Sequence, residues 1–147
     1  MPSTIHASAV LVGARAVLIR GPSGAGKSRL AFDLISVAGG GLPFARLVAD
    51  DRAEVAAAAG RLLVRPAPPL AGLIEVRGLG IRRLPYEPVA VVGLVVDLAA
   101  ADAQRLPAPE QALAIIDGIA LARVAIAPGK DALALVIAAL HLPESAV

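Results

Sequence analysis

Residues 21–28 read GPSGAGKS, and no other stretch of the chain restricts its fold so sharply. The pattern G-x-x-x-x-G-K-S does chemistry only where a strand delivers the loop and a helix leaves it. Gly21 and Gly26 let Pro22, Ser23, Gly24 and Ala25 fold around phosphate oxygens, with the available N–H groups pointing inward. Lys27 brings a flexible positive charge to the outer phosphates, and the Ser28 hydroxyl is the expected Mg²⁺ ligand. The flanks agree. Ala16 to Ile19 is a short apolar run, and Leu30, Ala31, Leu34, Ile35 and Ala38 recur at helical spacing. Gly39, Gly40 and Gly41 are expected to stop that helix. A chance glycine-rich turn is the competing explanation, and the full pattern in this context disfavours it.

The rest of the chain supplies an α/β domain around the loop. Ala7 to Val12 and the run leading into Gly21 suit a hairpin. Leu47 to Ala49 is a further short strand, and Glu54 to Val64 reads as two strands about Ala59-Gly60-Arg61. RPAPPLAG, residues 65–72, is a proline-rich loop with the composition of a moving surface element. Val89 to Leu98 is a buried strand interrupted by Gly93, and Ile115 to Ile126 holds one or two strands around Asp117-Gly118. Asp131 to Leu140 forms a last helix with Asp131 near its start as a cap. With 147 residues, 57% of them apolar but only 2% aromatic, the core must be built from Ala, Val, Leu and Ile in one domain spanning 1–147.

Composition removes several classes of function. Fourteen basic against twelve acidic residues leave a net charge of +2, too balanced for a nucleic-acid binder. The absence of cysteine excludes disulfides and thiolate metal sites. No signal peptide is apparent, and no apolar run of about 18 residues escapes a charge or a breaker. A cytoplasmic domain with no membrane partner is expected.

Asp50-Asp51 follows the strand that ends at Ala49, where P-loop proteins place the acid that holds Mg²⁺. One acid suffices for the metal, so two adjacent carboxylates suggest one for metal and one for proton transfer. Neighbours on an extended backbone point to opposite sides, so the strand must end here for both to serve one site. His6, ahead of the first strand, is one of two histidines; alone it reads as a surface residue, as does His141. Leu73 to Leu84, LIEVRGLGIRRL, places Glu75 and Arg77 at strand spacing before a Gly-Leu-Gly bend. Arg77, Arg82 and Arg83 suit a phosphate or an acidic partner.

Together His6, GPSGAGKS, RLVADDRAEV, GLIEVRGLGI and VAIAPGKDALALVIAAL resemble the catalytic domain of HPr kinase/phosphorylase across nearly the whole chain. The resemblance is to a short, alphaproteobacterial-type form without the family's N-terminal domain. It implies a P-loop α/β fold of the phosphoenolpyruvate carboxykinase-like type, with a mixed central sheet and flanking helices. It implies ATP- and Mg²⁺-dependent phosphorylation of a serine on the phosphocarrier HPr, with phosphorolysis by inorganic phosphate as the reverse reaction. Carried onto this sequence, Lys27 contacts phosphate and Ser28 and Asp51 lie at the metal. Asp50 transfers the proton with support from His6, the reverse assignment of the two acids staying open. Glu75 completes the metal surroundings, Arg77 those of the phosphate, and Lys130 is the basic residue after APG. The family assembles as hexamers, so a homo-oligomer is implied. His6-Ala7 and Arg82-Arg83-Leu84-Pro85 depart from the family pattern. The alternatives are a small-molecule kinase on the same core, a non-catalytic nucleotide-binding switch, and an NTPase whose acceptor is water.

Overall fold

The computed structural model describes residues 2–38 and 44–142. The expected stop at Gly39, Gly40 and Gly41 lies outside them, as does the tail after Leu142. In chain order the strands are β1 (Ser3–Ile5), β2 (Ala7–Val12), β3 (Arg15–Arg20), β4 (Ala45–Ala49), β5 (Ala53–Ala58), β6 (Arg61–Pro66), β7 (Leu73–Val76), β8 (Gly80–Arg83), β9 (Ala90–Asp97), β10 (Leu113–Ile116) and β11 (Ile119–Ala125). Helix α1 (Lys27–Ser36) leaves the glycine-rich loop, and α2 (Leu133–His141) follows β11.

Nine of the strands form one mixed sheet in which β4, β2, β3, β9, β6, β5 and β1 are successive neighbours. Its middle is parallel: β3 runs alongside β9, and β9 alongside β11. The outer pairs are antiparallel hairpins, β2 with β3, β5 with β6 and β10 with β11. In open α/β sheets the ligand crevice lies beyond the carboxyl ends of the parallel strands. Here β3 ends directly at Gly21, and β9 ends at Asp97 one residue before Leu98.

Alternation along β2 and β3 divides the core into two layers, because successive side chains leave opposite faces of a strand. Val10, Val12, Val17 and Ile19 pack with Leu30, Ala31 and Leu34 of α1 and Val136 of α2. Ala7, Ala9, Ala16 and Leu18 pack on the other side with Val55, Leu62 and Val64. Both α-helices therefore cover one face, and strands β5 and β6 help close the other. Small alanines on this second side suit strand-on-strand packing.

Gly93 has a definite task. The register between β3 and β9 slips there, Ala16 facing Val92 and Val17 facing Leu94. A Cβ at Gly93 would lie 2.7 Å from Cβ of Arg15. The extra residue is a bulge at a close backbone approach, the usual reason for glycine inside a strand.

Two expectations shift in detail. The strand-like alternation of Glu75 and Arg77 stops at Val76; Arg77 lies in the turn of a separate two-stranded sheet formed by β7 and β8. Helix α2 begins at Leu133 rather than Asp131, with Ala132 as its N-cap. Asp131 still serves the helix start by accepting the Leu133 N–H at 3.1 Å. The proline-rich segment is anchored at its entry: Pro66 is paired with Ala53, and Ala67 is buried.

Candidate active site

Among the described residues, three buried side chains are polar or charged: Ser8, Lys27 and Asp50. Such groups are rarely buried without partners, because desolvation costs more than an unpaired group recovers. Each has partners here, and they meet around the glycine-rich loop. Asp50 Oδ1 accepts from Ser8 Oγ and from Ser28 Oγ, both at 2.7 Å, and Oδ2 accepts the Glu75 N–H at 2.9 Å. One carboxylate thus ties β2, the first turn of α1, the end of β4 and β7 together.

Asp51 is placed differently although it is the next residue. Its φ is 69°, a left-handed value uncommon for a residue with a side chain. The Arg52 N–H donates to the Asp50 carbonyl at 2.8 Å across it. A three-residue turn with positive φ at its centre is the rare, strained form of γ-turn. Strand β2 pins that turn from both sides: Ala7 N–H donates to Asp51 O at 3.1 Å, and Asp51 N–H to Ser8 Oγ at 3.2 Å. The strand therefore ends at Ala49, as two acids in one site require. The result separates them: Asp50 is buried with both oxygens engaged, while Asp51 is exposed and lines a cleft.

That cleft, of about 770 Å³, gathers most of the residues singled out in the sequence. Ser23, Gly24, Ala25, Gly26, Lys27 and Ser28 form one wall, Asp51, Glu75 and Arg77 another, and Lys130 a third. Gly21 and Pro22 open the loop but do not line the cleft, and Lys27 Nζ donates to their carbonyls at 2.9 and 3.2 Å. At Gly21, φ is 154° and a Cβ would stand 3.0 Å from Cβ of Leu98, so the loop's first turn needs glycine. His6 is exposed in the bend between β1 and β2 and does not line the cleft. Its link to the site is the backbone of Ala7, bonded to Asp51.

Two features favour a polyanion. Helix α1 starts at Gly26 with no side-chain cap and no acid in its first turn, so its leading N–H groups keep their affinity for negative charge. Lys27 adds a cation with no carboxylate within 4.0 Å among the described residues. The donor set also suits Mg²⁺. No cluster of three or more His, Cys, Asp or Glu that would cage a metal occurs among the described residues. Mg²⁺ keeps several waters and is held by one or two carboxylates together with substrate phosphates, so Ser28 and Asp50 side by side are what it needs.

Ser8 escaped the sequence reading. A serine inside the apolar run ASAVLV was the available signal, but partnership with an acid 42 residues away becomes visible only when β2 and β4 pair.

Behind the loop, Arg20 and Arg123 both bind Asp97. Arg20 Nε and Nη2 donate to it at 2.7 and 2.8 Å, and Arg123 Nε at 2.6 Å. Arg123 also makes two bonds to Asp102, at 2.8 and 3.0 Å. Burial pushes the Asp97 carboxyl up, but the bonds from Arg20 and Arg123 outweigh it and hold the group below its usual range. The Arg123 guanidinium, bonded to Asp102 and Asp97, is held still further above its ordinary value.

Comparison with known proteins adds family to geometry. A family model described as HPr Serine kinase C-terminal domain matches residues 2–142. HPr kinase/phosphorylase of Bordetella petrii is 42% identical over 80 residues, covering 54% of this chain and 24% of that protein. Its counterpart in Lacticaseibacillus casei is 40% identical over 79 residues, covering 53% of this chain and 23% of its own length. These matches thus span about a quarter of the relatives' length. Among solved structures, the Hpr(Ser) kinase/phosphatase from Coxiella burnetii superposes with a TM-score of 0.72 at 25% identity, over 94% of this chain and 88% of that one.

Proposed function

Because the chain belongs to the HPr serine kinase C-terminal domain family, we propose that it transfers the terminal phosphoryl group of ATP to a serine of the phosphocarrier HPr, with Mg²⁺. The supporting observation is the convergence of Ser8, Lys27 and Asp50, all buried, on the glycine-rich loop beside an exposed Asp51. No helix among the described residues is long and apolar enough to cross a membrane. The cytoplasm, where ATP and HPr are found together, is the proposed site of action.

Geometry favours exchanging the roles of the two acids. Asp50, already on Ser28, belongs with the metal, whose bound charge would neutralise the phosphate oxygens. Asp51, exposed in the cleft, takes the proton from the serine hydroxyl as the new O–P bond forms and the bond to the ADP oxygen breaks. Lys27 and the uncapped N–H groups of α1 stabilise the charge on the transferring group. Arg77 and Lys130 lie on the cleft walls as further cations, and Glu75 holds Asp50 through its backbone N–H. His6 precedes Ala7, whose backbone N–H holds the Asp51 turn, and its assigned support of the proton-transfer acid is open to test by His6→Ala.

The same groups serve the reverse reaction. With inorganic phosphate as attacker, the seryl O–P bond breaks, pyrophosphate forms, and protonated Asp51 returns its proton to the serine oxygen. Purified chain, HPr and ATP·Mg²⁺ should yield singly phosphorylated HPr by mass spectrometry. Adding inorganic phosphate should then restore the original mass with release of pyrophosphate. ATP consumption at the same rate with and without HPr, and no mass gain, would instead establish a plain NTPase.

A further inference from the structure

Strands β7 and β8 form a hairpin outside the main sheet, and its outer half is not shaped by the core. All four residues of β8, Gly80 to Arg83, are exposed. Two large apolar side chains nevertheless stand on it, Leu79 at 62% and Ile81 at 59% exposure. Residues 76–86, VRGLGIRRLPY, carry three arginines and no acid. Arg77, Arg82 and Arg83 are exposed, and among the described residues none of them has a carboxylate within 4.0 Å. A hairpin selected only for solubility has no use for exposed leucine and isoleucine among unpaired cations. Apolar residues ringed by arginine are what a protein-binding patch contains.

Position decides what the patch serves. The inner strand of the same hairpin donates the Glu75 N–H to Asp50, and Glu75 and Arg77 line the cleft at its turn end. Any folded protein bringing a serine to Asp51 must come to rest beside this hairpin. We propose that Leu79, Ile81, Arg82 and Arg83 form the docking surface for the protein acceptor, receiving an apolar patch edged by carboxylates near the target serine. The inference rests on the kinase reading above and deepens it: the hairpin confers selectivity for a folded acidic-rimmed acceptor over a free serine. Unpaired arginines attract such a partner over distance, and the two apolar side chains hold it once docked.

The test uses the full chain with HPr as acceptor, comparing the parent with Arg82→Glu/Arg83→Glu and with Leu79→Ser/Ile81→Ser. Each double variant should raise KM for HPr about tenfold or more. ATP affinity, kcat at saturating HPr and the thermal midpoint should stay at parental values, since none of the altered side chains lines the cleft and all are exposed. Raising salt should raise KM for the parent and much less for the arginine variant. Unchanged KM in both variants would overturn the docking surface while leaving the kinase reading intact. No transfer to HPr by the parent would remove the kinase reading, and the docking surface with it. Should the variants sediment as a smaller species than the parent, the surface belongs to a second copy of this chain, and the acceptor proposal fails.

Discussion

Asp51 occupies a backbone conformation that costs about 1–3 kcal/mol for a residue with a Cβ, and such strain persists only where neighbours enforce it. The enforcement is visible in the two bonds from β2 and the tight bond across the turn. This makes separate predictions for chemistry and for stability. Asp51→Asn should slow phosphoryl transfer by at least about a hundredfold, the usual range for loss of a positioned base, with nucleotide binding retained. Asp51→Gly should lose transfer equally but melt at or above the parental temperature, because glycine relieves the positive φ. A Gly variant that melts well below the parent would show that the turn is not strained. Ser8→Ala acts the other way. It removes a donor to buried Asp50 and the acceptor of the Asp51 N–H, so it should cost about 1–3 kcal/mol in urea titrations. Sequence disclosed the acid pair but not its division of labour. Adjacent carboxylates look equivalent along the chain, and what distinguishes them is a turn held by Ser8 and Ala7, both remote in sequence.

Hairpins were the most legible elements. Gly13, Ala59-Gly60 and Asp117-Gly118 stand between runs of the right length, and all three turn antiparallel pairs. Less legible were elements defined by what they meet. Strand β1 has three residues and exists through pairing with β5, and β7 with β8 stands apart although its pattern resembles any core strand. The Asp97 cluster is of this kind too, since Arg20, Asp97 and Arg123 come together only because β3, β9 and β11 run parallel. It lies at the ends of the strands that hold the glycine-rich loop, and it gives stability a pH dependence. Burial works against the ionised form, but the arginines prevail and the folded carboxyl titrates below its unfolded value of about 3.9. A depressed folded pKa contributes stability above the unfolded value and loses it as pH falls through the folded one. Asp97→Asn should therefore destabilise the chain at pH 7, and the gap to the parent should narrow as pH drops from about 5 toward 2. A gap that stays constant across that range would mean the carboxylate's charge contributes nothing.

For the whole molecule, the parallel strands, the loop between β3 and α1 and the acid turn after β4 place a cleft at one end of the sheet, with walls from segments more than a hundred residues apart. Lys130 and Arg77 come to it from separate segments of the chain; Arg77 stood out in its arginine-rich run, whereas Lys130 was singled out only through family resemblance. A ligand bridging those walls must stabilise the fold as a unit, since it binds the folded state alone. At a hundred times its dissociation constant, ATP·Mg²⁺ should add about 2.7 kcal/mol, which for a chain of this size raises the thermal midpoint by roughly 8–10 °C. Three comparisons by scanning calorimetry separate the contributions. ATP without divalent metal should give a smaller shift, because Ser28 and Asp50 then hold no cation against the phosphates. Lys27→Ala should abolish most of the shift with either form. Asp51→Asn should retain it in full, because the proton-accepting group acts on the serine and not on the nucleotide. Were Asp51→Asn to lose the metal-dependent part of the shift while Asp50→Asn kept it, the two acids would have to trade places again, with Asp51 at the metal and Asp50 as the base.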